Sequence, residues 1–170
     1  MRLFVAADVS EEVRVAIPLG KEDAFKWARR EGLHLTLVFL GETTDAREAE
    51  VKTLCAEVAK KHRAFSLALE GAGTFGSPPK VLWLGITGDV EPLKALRAEL
   101  STALNVKDEH PDYAPHLTLA RAKHRHGDRA LDAVAQSLRP TRLGPFRVGE
   151  LVLYQSAGGR YVVRARFPLV

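Results

Sequence analysis

The alternation of apolar and polar positions divides the chain into short strand-like runs and longer stretches of helical spacing. Residues 3–7 form an apolar run of strand length, and Ser10 followed by Glu11 and Glu12 reads as a helix start. Pro18 and Gly20 interrupt that helix, and a second helical piece is expected over about 21–30. His34 opens a strand that runs through Val38, Phe39 and Leu40 to Gly41. From 44 to 61 the spacing is helical, with Ala49, Leu54, Val58 and Ala59 available as the buried stripe. Phe65, Leu67 and Leu69 then alternate with Ser66, Ala68 and Glu70 as in a strand, 71–79 reads as a turn-rich connector, and 81–86 is a strand. Residues 91–104 are helical, with Pro92 in the first turn. His116 opens a further strand and a helix follows over about 128–138. Phe146, Val148 and 151–154 give one strand, and 161–167 closes the chain as another.

This order occurs twice. His34 to Phe65 is 31 residues and His116 to Phe146 is 30; His34 to Val81 is 47 and His116 to Tyr161 is 45. Strand, helix, His-x-Thr strand, helix, strand is the unit, and its repetition predicts two similar lobes related by a pseudo-twofold axis. No linker divides them, so 1–170 is read as a single domain. The fold class is α+β, with largely antiparallel sheets and helices packed outside.

At the centre of each unit stands the same tetrapeptide, His-Leu-Thr-Leu, at 34–37 and at 116–119. In a strand, residues two apart share a face. His34 and Thr36 therefore point one way and Leu35 and Leu37 the other, and His116 and Thr118 do likewise against Leu117 and Leu119. Strands lying side by side would bring two imidazoles and two hydroxyls around one spot. Histidine exchanges a proton near neutrality, so one ring can act as base while the other acts as acid. In-line displacement at phosphorus needs proton partners at opposite apices, and hydroxyls that donate to the non-bridging oxygens. The pattern suits opening of a phosphodiester, a strained cyclic one most readily, and it calls for no metal and no cofactor.

Bulk properties narrow the setting. The 170 residues suffice to bury a sizeable core, and the 46% hydrophobic and 27% charged content is that of a globular protein. A net charge of +4 and a pI near 9.4 lean toward an anionic partner such as RNA or a nucleotide. Cys55 is the single cysteine, which excludes a disulfide framework, fits a reducing cytoplasm, and reads as a small buried apolar residue. No run is long enough for a membrane span or a signal peptide, so a soluble cytoplasmic protein is expected, and a monomer. Of the other histidines, His62 and His110 sit among charged or turn residues, and Lys123-His124-Arg125-His126 reads as a solvated basic loop within reach of an RNA backbone. Zinc ligation by His124, His126 and His110 or Asp112 matches no common spacing. Trp83, Phe65, Phe146 and Phe167 are read as core. Phe4, Phe39, Tyr113 and Tyr154 are left as candidates to stack on a base.

On these motifs the chain resembles the 2H phosphoesterases, and within them the RNA 2′,3′-cyclic phosphodiesterases first called 2′-5′ RNA ligases. The resemblance extends to Arg2-Leu3-Phe4-Val5-Ala6, to Phe39-Leu40-Gly41, to Gly73-Thr74-Phe75, to 78–83, to Pro115 and Ala120-Arg121 around the second motif, and to Leu153-Tyr154-Gln155-Ser156. It implies a bilobal fold with two antiparallel sheets flanking a central cleft. It implies hydrolysis of a 2′,3′-cyclic phosphate, on RNA or a small cyclic nucleotide, to a 2′-phosphomonoester. By the same resemblance His34 is the proton donor and His116 the proton acceptor, while Thr36, Thr118 and Arg121 bind substrate. Arg121 poses a difficulty: five residues after His116, strict alternation sends it to the opposite face, so its recruitment needs a bulge, a strand end or a long reach. Ligation, the microscopic reverse, and a non-catalytic nucleotide-binding module both remain open at the level of sequence.

Overall fold

The computed structural model describes residues 1–107 and 114–170. Its strands and helices are, in order, β1 (Arg2–Asp8), α1 (Glu11–Ala16), β2 (Phe25–Trp27), a 3-10 turn (Arg30–Gly32), β3 (His34–Glu42), α2 (Asp45–Ala59), β4 (Phe65–Phe75), β5 (Val81–Gly88), α3 (Val90–Ala103), β6 (His116–Ala122), α4 (Ala130–Leu138), β7 (Arg142–Val148), β8 (Glu150–Ala157) and β9 (Arg160–Pro168). Tyr113, His110 and Asp112 lie outside the described residues.

Two antiparallel sheets result. One has the order β3-β1-β8-β9, the other β2-β6-β5-β4-β7. Apart from β2 the orders correspond: a motif strand, β3 or β6, lies beside β1 or β5, and two further strands complete each sheet. The chain does not assign one sheet to each half, however. The first sheet takes β1 and β3 from the start and β8 and β9 from the end, and the second is built from the middle. Gly149 alone separates β7 in one sheet from β8 in the other, where one strand was expected across Phe146, Val148 and 151–154.

Helices form where caps and apolar spacing agree. The Ser10 hydroxyl accepts from the Val13 amide and the Thr44 hydroxyl from the Arg47 amide, satisfying donors at the starts of α1 and α2. Against the sheets, α2 packs on β8 and β9, α4 packs on β4 and β5, and α3 touches β3, β4 and α2. Buried residues of both sheets and of the four helices join one apolar cluster. The buried stripe of α2 is Val51, Cys55, Val58 and Ala59, with Glu48 at its head; the expected Ala49 is exposed. Glu48 is buried because Arg164 of β9 donates to both its carboxylate oxygens, at 2.6 and 2.8 Å. Cys55 is fully buried, and burial pushes its thiol up to about 12, which makes it an inert core residue as expected.

Two further expectations are corrected. The helical piece over 21–30 is instead β2 followed by the 3-10 turn, because Phe25 and Trp27 alternate about Lys26 and pair with Ala122 and Ala120 at the side of β6. The connector over 71–79 is in its first part strand, since β4 continues to Phe75 past a break in register between Leu69 and Ala72. Gly73 belongs to that strand for a steric reason: a Cβ there would lie 2.4 Å from the Trp83 indole opposite. Among the described residues no helix is long and apolar enough to cross a membrane.

Candidate active site

The two motif strands are built alike. In β3, Val38 pairs with Val5 and Thr36 with Ala6, so Leu37 between them has no partner across the ladder. In β6, Ala120 pairs with Leu82 and Thr118 with Trp83, leaving Leu119 unpaired in the same way. Each is a bulge, and a bulge shifts the side-chain alternation by one. Leu37 and Val38 are both buried, as are Leu119 and Ala120, and the next residues, Phe39 and Arg121, emerge on the face of the preceding His and Thr. The difficulty with Arg121 is thereby resolved: His116, Thr118 and Arg121 share one face, and so do His34, Thr36 and Phe39.

Both imidazoles are oriented by the same device. His34 Nδ1 donates to the Gly32 carbonyl at 2.7 Å and His116 Nδ1 donates to the Ala114 carbonyl at 3.0 Å. A carbonyl can only accept, so each Nδ1 carries hydrogen and Nε2 is the nitrogen left to exchange a proton. His34 Nε2 lies 2.8 Å from Thr36 Oγ1; with the ring neutral, the hydroxyl donates to it. Each ring also meets an aromatic at a right angle: Tyr161 at 5.0 Å and 88° from His34, Phe75 at 4.9 Å and 86° from His116. Phe4 lies 4.8 Å from His34, and Trp83 lies 6.4 Å from His116. The strands β3 and β6 that carry the two motifs touch one another.

The carbonyl that orients His34 belongs to a braced turn. Arg14 of α1 donates to the Arg30, Glu31 and Leu33 carbonyls at 3.2, 3.2 and 2.9 Å. Arg30 returns bonds to the Arg14, Val15 and Ile17 carbonyls at 2.8, 3.2 and 2.8 Å. Two arginines thus satisfy the free carbonyls at the end of α1 and around the 3-10 turn, fixing Gly32 between them.

Burial lowers the pKa of His34 from its ordinary value. The Gly32 bond and the Asp8 carboxylate pull it upward, and the Arg14 charge adds to the lowering. Asp8 stands directly opposite His34 in the β1–β3 ladder and accepts a 2.6 Å bond from the Tyr154 hydroxyl. Burial, then that bond, push the Tyr154 phenol upward.

Sequence reasoning missed Asp8, Tyr161 and Phe75. The parity of β1 contains Asp8, since Phe4, Ala6 and Asp8 alternate with the core residues Leu3, Val5 and Ala7, but the pairing with His34 had to be seen. Of the aromatic candidates, Phe39 is 68% exposed, whereas Phe4 is buried beneath His34 and Tyr154 and stacks on Tyr154 at 5.4 Å. Phe65, Phe146 and Phe167 are core as expected; Trp83 is only half-buried and belongs beside His116. His62 serves elsewhere, bonded to Glu99 of α3. His124 and His126 are exposed in the turn after β6, and no cluster of three or more metal-ligating side chains occurs among the described residues.

Two antiparallel sheets, each carrying a His-x-Thr strand with an oriented imidazole, define the architecture of the two-histidine phosphoesterases. Residues 5–160 match the 2′-5′ RNA ligase superfamily, and the chain belongs to that family. It is 31% identical over 165 residues to an RNA 2′,3′-cyclic phosphodiesterase of Archaeoglobus fulgidus, covering 92% of this chain and 91% of the relative. A Geobacillus stearothermophilus protein of the same name is 32% identical over 181 residues; 98% of this chain is covered, but it spans only 57% of that relative's length. The crystal structure of Escherichia coli LigT complexed with 3′-AMP superposes with a TM-score of 0.76 at 27% identity, over 99% of this chain and 97% of that one.

Proposed function

We propose that this protein hydrolyses the 2′,3′-cyclic phosphate at an RNA or nucleotide end to a 2′-phosphomonoester. One observation carries the reading: two His-x-Thr motifs, far apart in the chain, share the same bulge, the same Nδ1–carbonyl bond and the same order of exposed and buried positions. The names of the relatives and the LigT nucleotide complex support RNA or nucleotide ends as substrate.

In this reading residues 1–170 act as one domain of two similar lobes, with the cyclic phosphate between the motifs. His116 Nε2 removes a proton from water as its oxygen attacks phosphorus. The bond from phosphorus to the 3′ oxygen breaks, and His34 Nε2–H delivers a proton to that oxygen as it leaves. One proton is taken and one given, so a second turnover requires only exchange with solvent. Thr36 and Thr118 donate to the non-bridging oxygens as negative charge builds, and Arg121 offers its guanidinium to the phosphate. Phe39 presents an exposed ring on the His34 side, suited to stack on the terminal base. The chain's own groups supply both proton transfers, and the scheme invokes neither a metal nor a cofactor. A monomer in the cytoplasm is the setting this reading assumes.

The test is product identity. An oligonucleotide ending in a 2′,3′-cyclic phosphate, incubated with the protein and a chelator, should yield the 2′-phosphate. A 3′-phosphate product, or no turnover, would overturn the reading.

A further inference from the structure

The second sheet has one strand more than the first, and that strand brings a further cation to the motif face. β2 lies on the outer side of β6, where Lys26 stands directly opposite Arg121. Phe25 and Trp27 pair with Ala122 and Ala120 and turn to the core side, Phe25 and Ala120 both buried. Lys26, between them, therefore shares the other face with Arg121. That is the face of His116 and Thr118.

Directly opposed residues in an antiparallel pair hold their Cβ atoms about 4.5–5.5 Å apart, and like charges so placed repel. Lys26 and Arg121 are both exposed, and neither forms an ion pair or a side-chain hydrogen bond among the described residues. Glu22 and Asp23, just before β2, pair with neither of them. The strand that carries Lys26 is nonetheless fixed. The Ala28 amide donates to the Leu119 carbonyl at 2.8 Å, and the Trp27 indole packs so closely on Gly20 that a Cβ there would lie 2.4 Å from it. A lysine on an edge strand commonly guards against strand addition. This one also joins the motif face, beside a second cation that no carboxylate among the described residues neutralises.

Two neighbouring cations have room for two anions. In the scheme above Arg121, in the motif strand itself, serves the cyclic phosphate. Lys26 stands one strand further out, a spacing of about 4.7–4.9 Å. On an RNA end the next anion along the backbone is the phosphodiester on the 5′ side of the terminal nucleoside. We infer that Lys26 binds that phosphodiester, and so makes an RNA end a better substrate than a free cyclic nucleotide. The inference rests on the cyclic phosphodiesterase reading and deepens it, by choosing between the two substrate classes which that reading allows.

The experiment uses two dinucleotides that end in a 2′,3′-cyclic phosphate, one joined by an ordinary phosphodiester and the other by an uncharged methylphosphonate. The unaltered protein should favour the charged linkage in kcat/KM by ~5–50-fold, the worth of one charge-assisted contact at an exposed site. Most of that difference should lie in KM, since the linkage takes no part in bond breaking. Lys26→Ala should abolish most of the preference, Lys26→Arg should keep it, and added salt should shrink it. The ratio between the two substrates does not depend on how much of a variant is folded, so misfolding cannot imitate the result. No preference in the unaltered protein, or the same preference in Lys26→Ala, would overturn the inference and leave the phosphodiesterase reading standing. Failure of the unaltered protein to open either cyclic phosphate would remove that reading, and this inference with it.

Discussion

Phe39 stands to His34 as Arg121 stands to His116: five residues on, past an unpaired leucine, on the same face of the strand. The scaffold repeats, but the two positions carry an aromatic ring in one lobe and a guanidinium in the other. On the proposed function, a symmetric frame would serve an asymmetric substrate, a nucleotide with a flat base at one end and anionic phosphate beside it.

Removing the ring should therefore affect binding of the base and little else. Phe39→Ala is expected to raise KM for a cyclic nucleotide by about 5- to 100-fold, the range of a lost base–aromatic stack. Turnover of glycerol 1,2-cyclic phosphate, which has no base, should stay the same. The melting temperature should also hold, because the side chain is 68% exposed. Steady-state kinetics on the two substrates make the comparison.

Arg121 should behave differently. Arg121→Ala is expected to reduce kcat/KM by roughly 10–100-fold on both substrates, since the phosphate is common to them and a charge-assisted bond is worth ~1.5–3 kcal/mol. Arg121→Lys should recover part of the loss and not all, because an ammonium keeps the charge without the planar fork.

The braced turn before His34 gives a prediction that joins stability to rate. Arg14→Ala takes the guanidinium donor from the Glu31 and Leu33 carbonyls, leaves the Arg30 carbonyl only the Leu33 amide, and frees the turn that holds the Gly32 oxygen. A loss of about 1–3 kcal/mol in urea unfolding is expected, with a lower kcat as the His34 ring loses its fixed orientation. Unchanged turnover in a destabilised Arg14→Ala would separate the brace from the chemistry.

Acid should weaken the fold through Glu48. The bonds from Arg164 hold its carboxyl below the ordinary value of 4.5, so the folded state binds its proton less readily than the unfolded chain does. The contribution is complete above the unfolded value and is lost as pH falls through the folded one. Melting temperature measured downward from about pH 6 should fall more steeply for the unaltered protein than for Glu48→Gln, which has no carboxyl to protonate.

Much of this site was legible in the chain, and the reasons for the remainder are physical. The duplicated His-Leu-Thr-Leu, read with strand parity, gave the His-Thr face and the core face of both motif strands correctly as far as Thr36 and Thr118. Beyond them parity failed, because a bulge leaves no mark in composition: Leu37-Val38 and Leu119-Ala120 read as continued strand, and only the ladder with β1 and β5 exposes the skipped residue. The helix expected over 21–30 became β2 because Phe25 and Trp27 find partners on β6, nearly 100 residues away in sequence. The exchange of β4 with β8 and β9 between sheets was likewise invisible, since periodicity says which face of a strand is buried and nothing about its neighbour. Asp8 went unnoticed for that reason: parity places it on a face and does not show that it pairs with His34.

The most direct test of the account compares single-turnover rates of the unaltered protein, His34→Ala, His116→Ala and the double variant on one cyclic-phosphate oligonucleotide, each checked for folding by circular dichroism. If the imidazoles act together on one phosphoryl group, each single change should slow the reaction by ~10²–10⁴-fold and the double change should be little worse than the slower single, as groups working as a unit are not additive. Near-full activity in His34→Ala, or losses that simply multiply in the double variant, would contradict a shared two-histidine site.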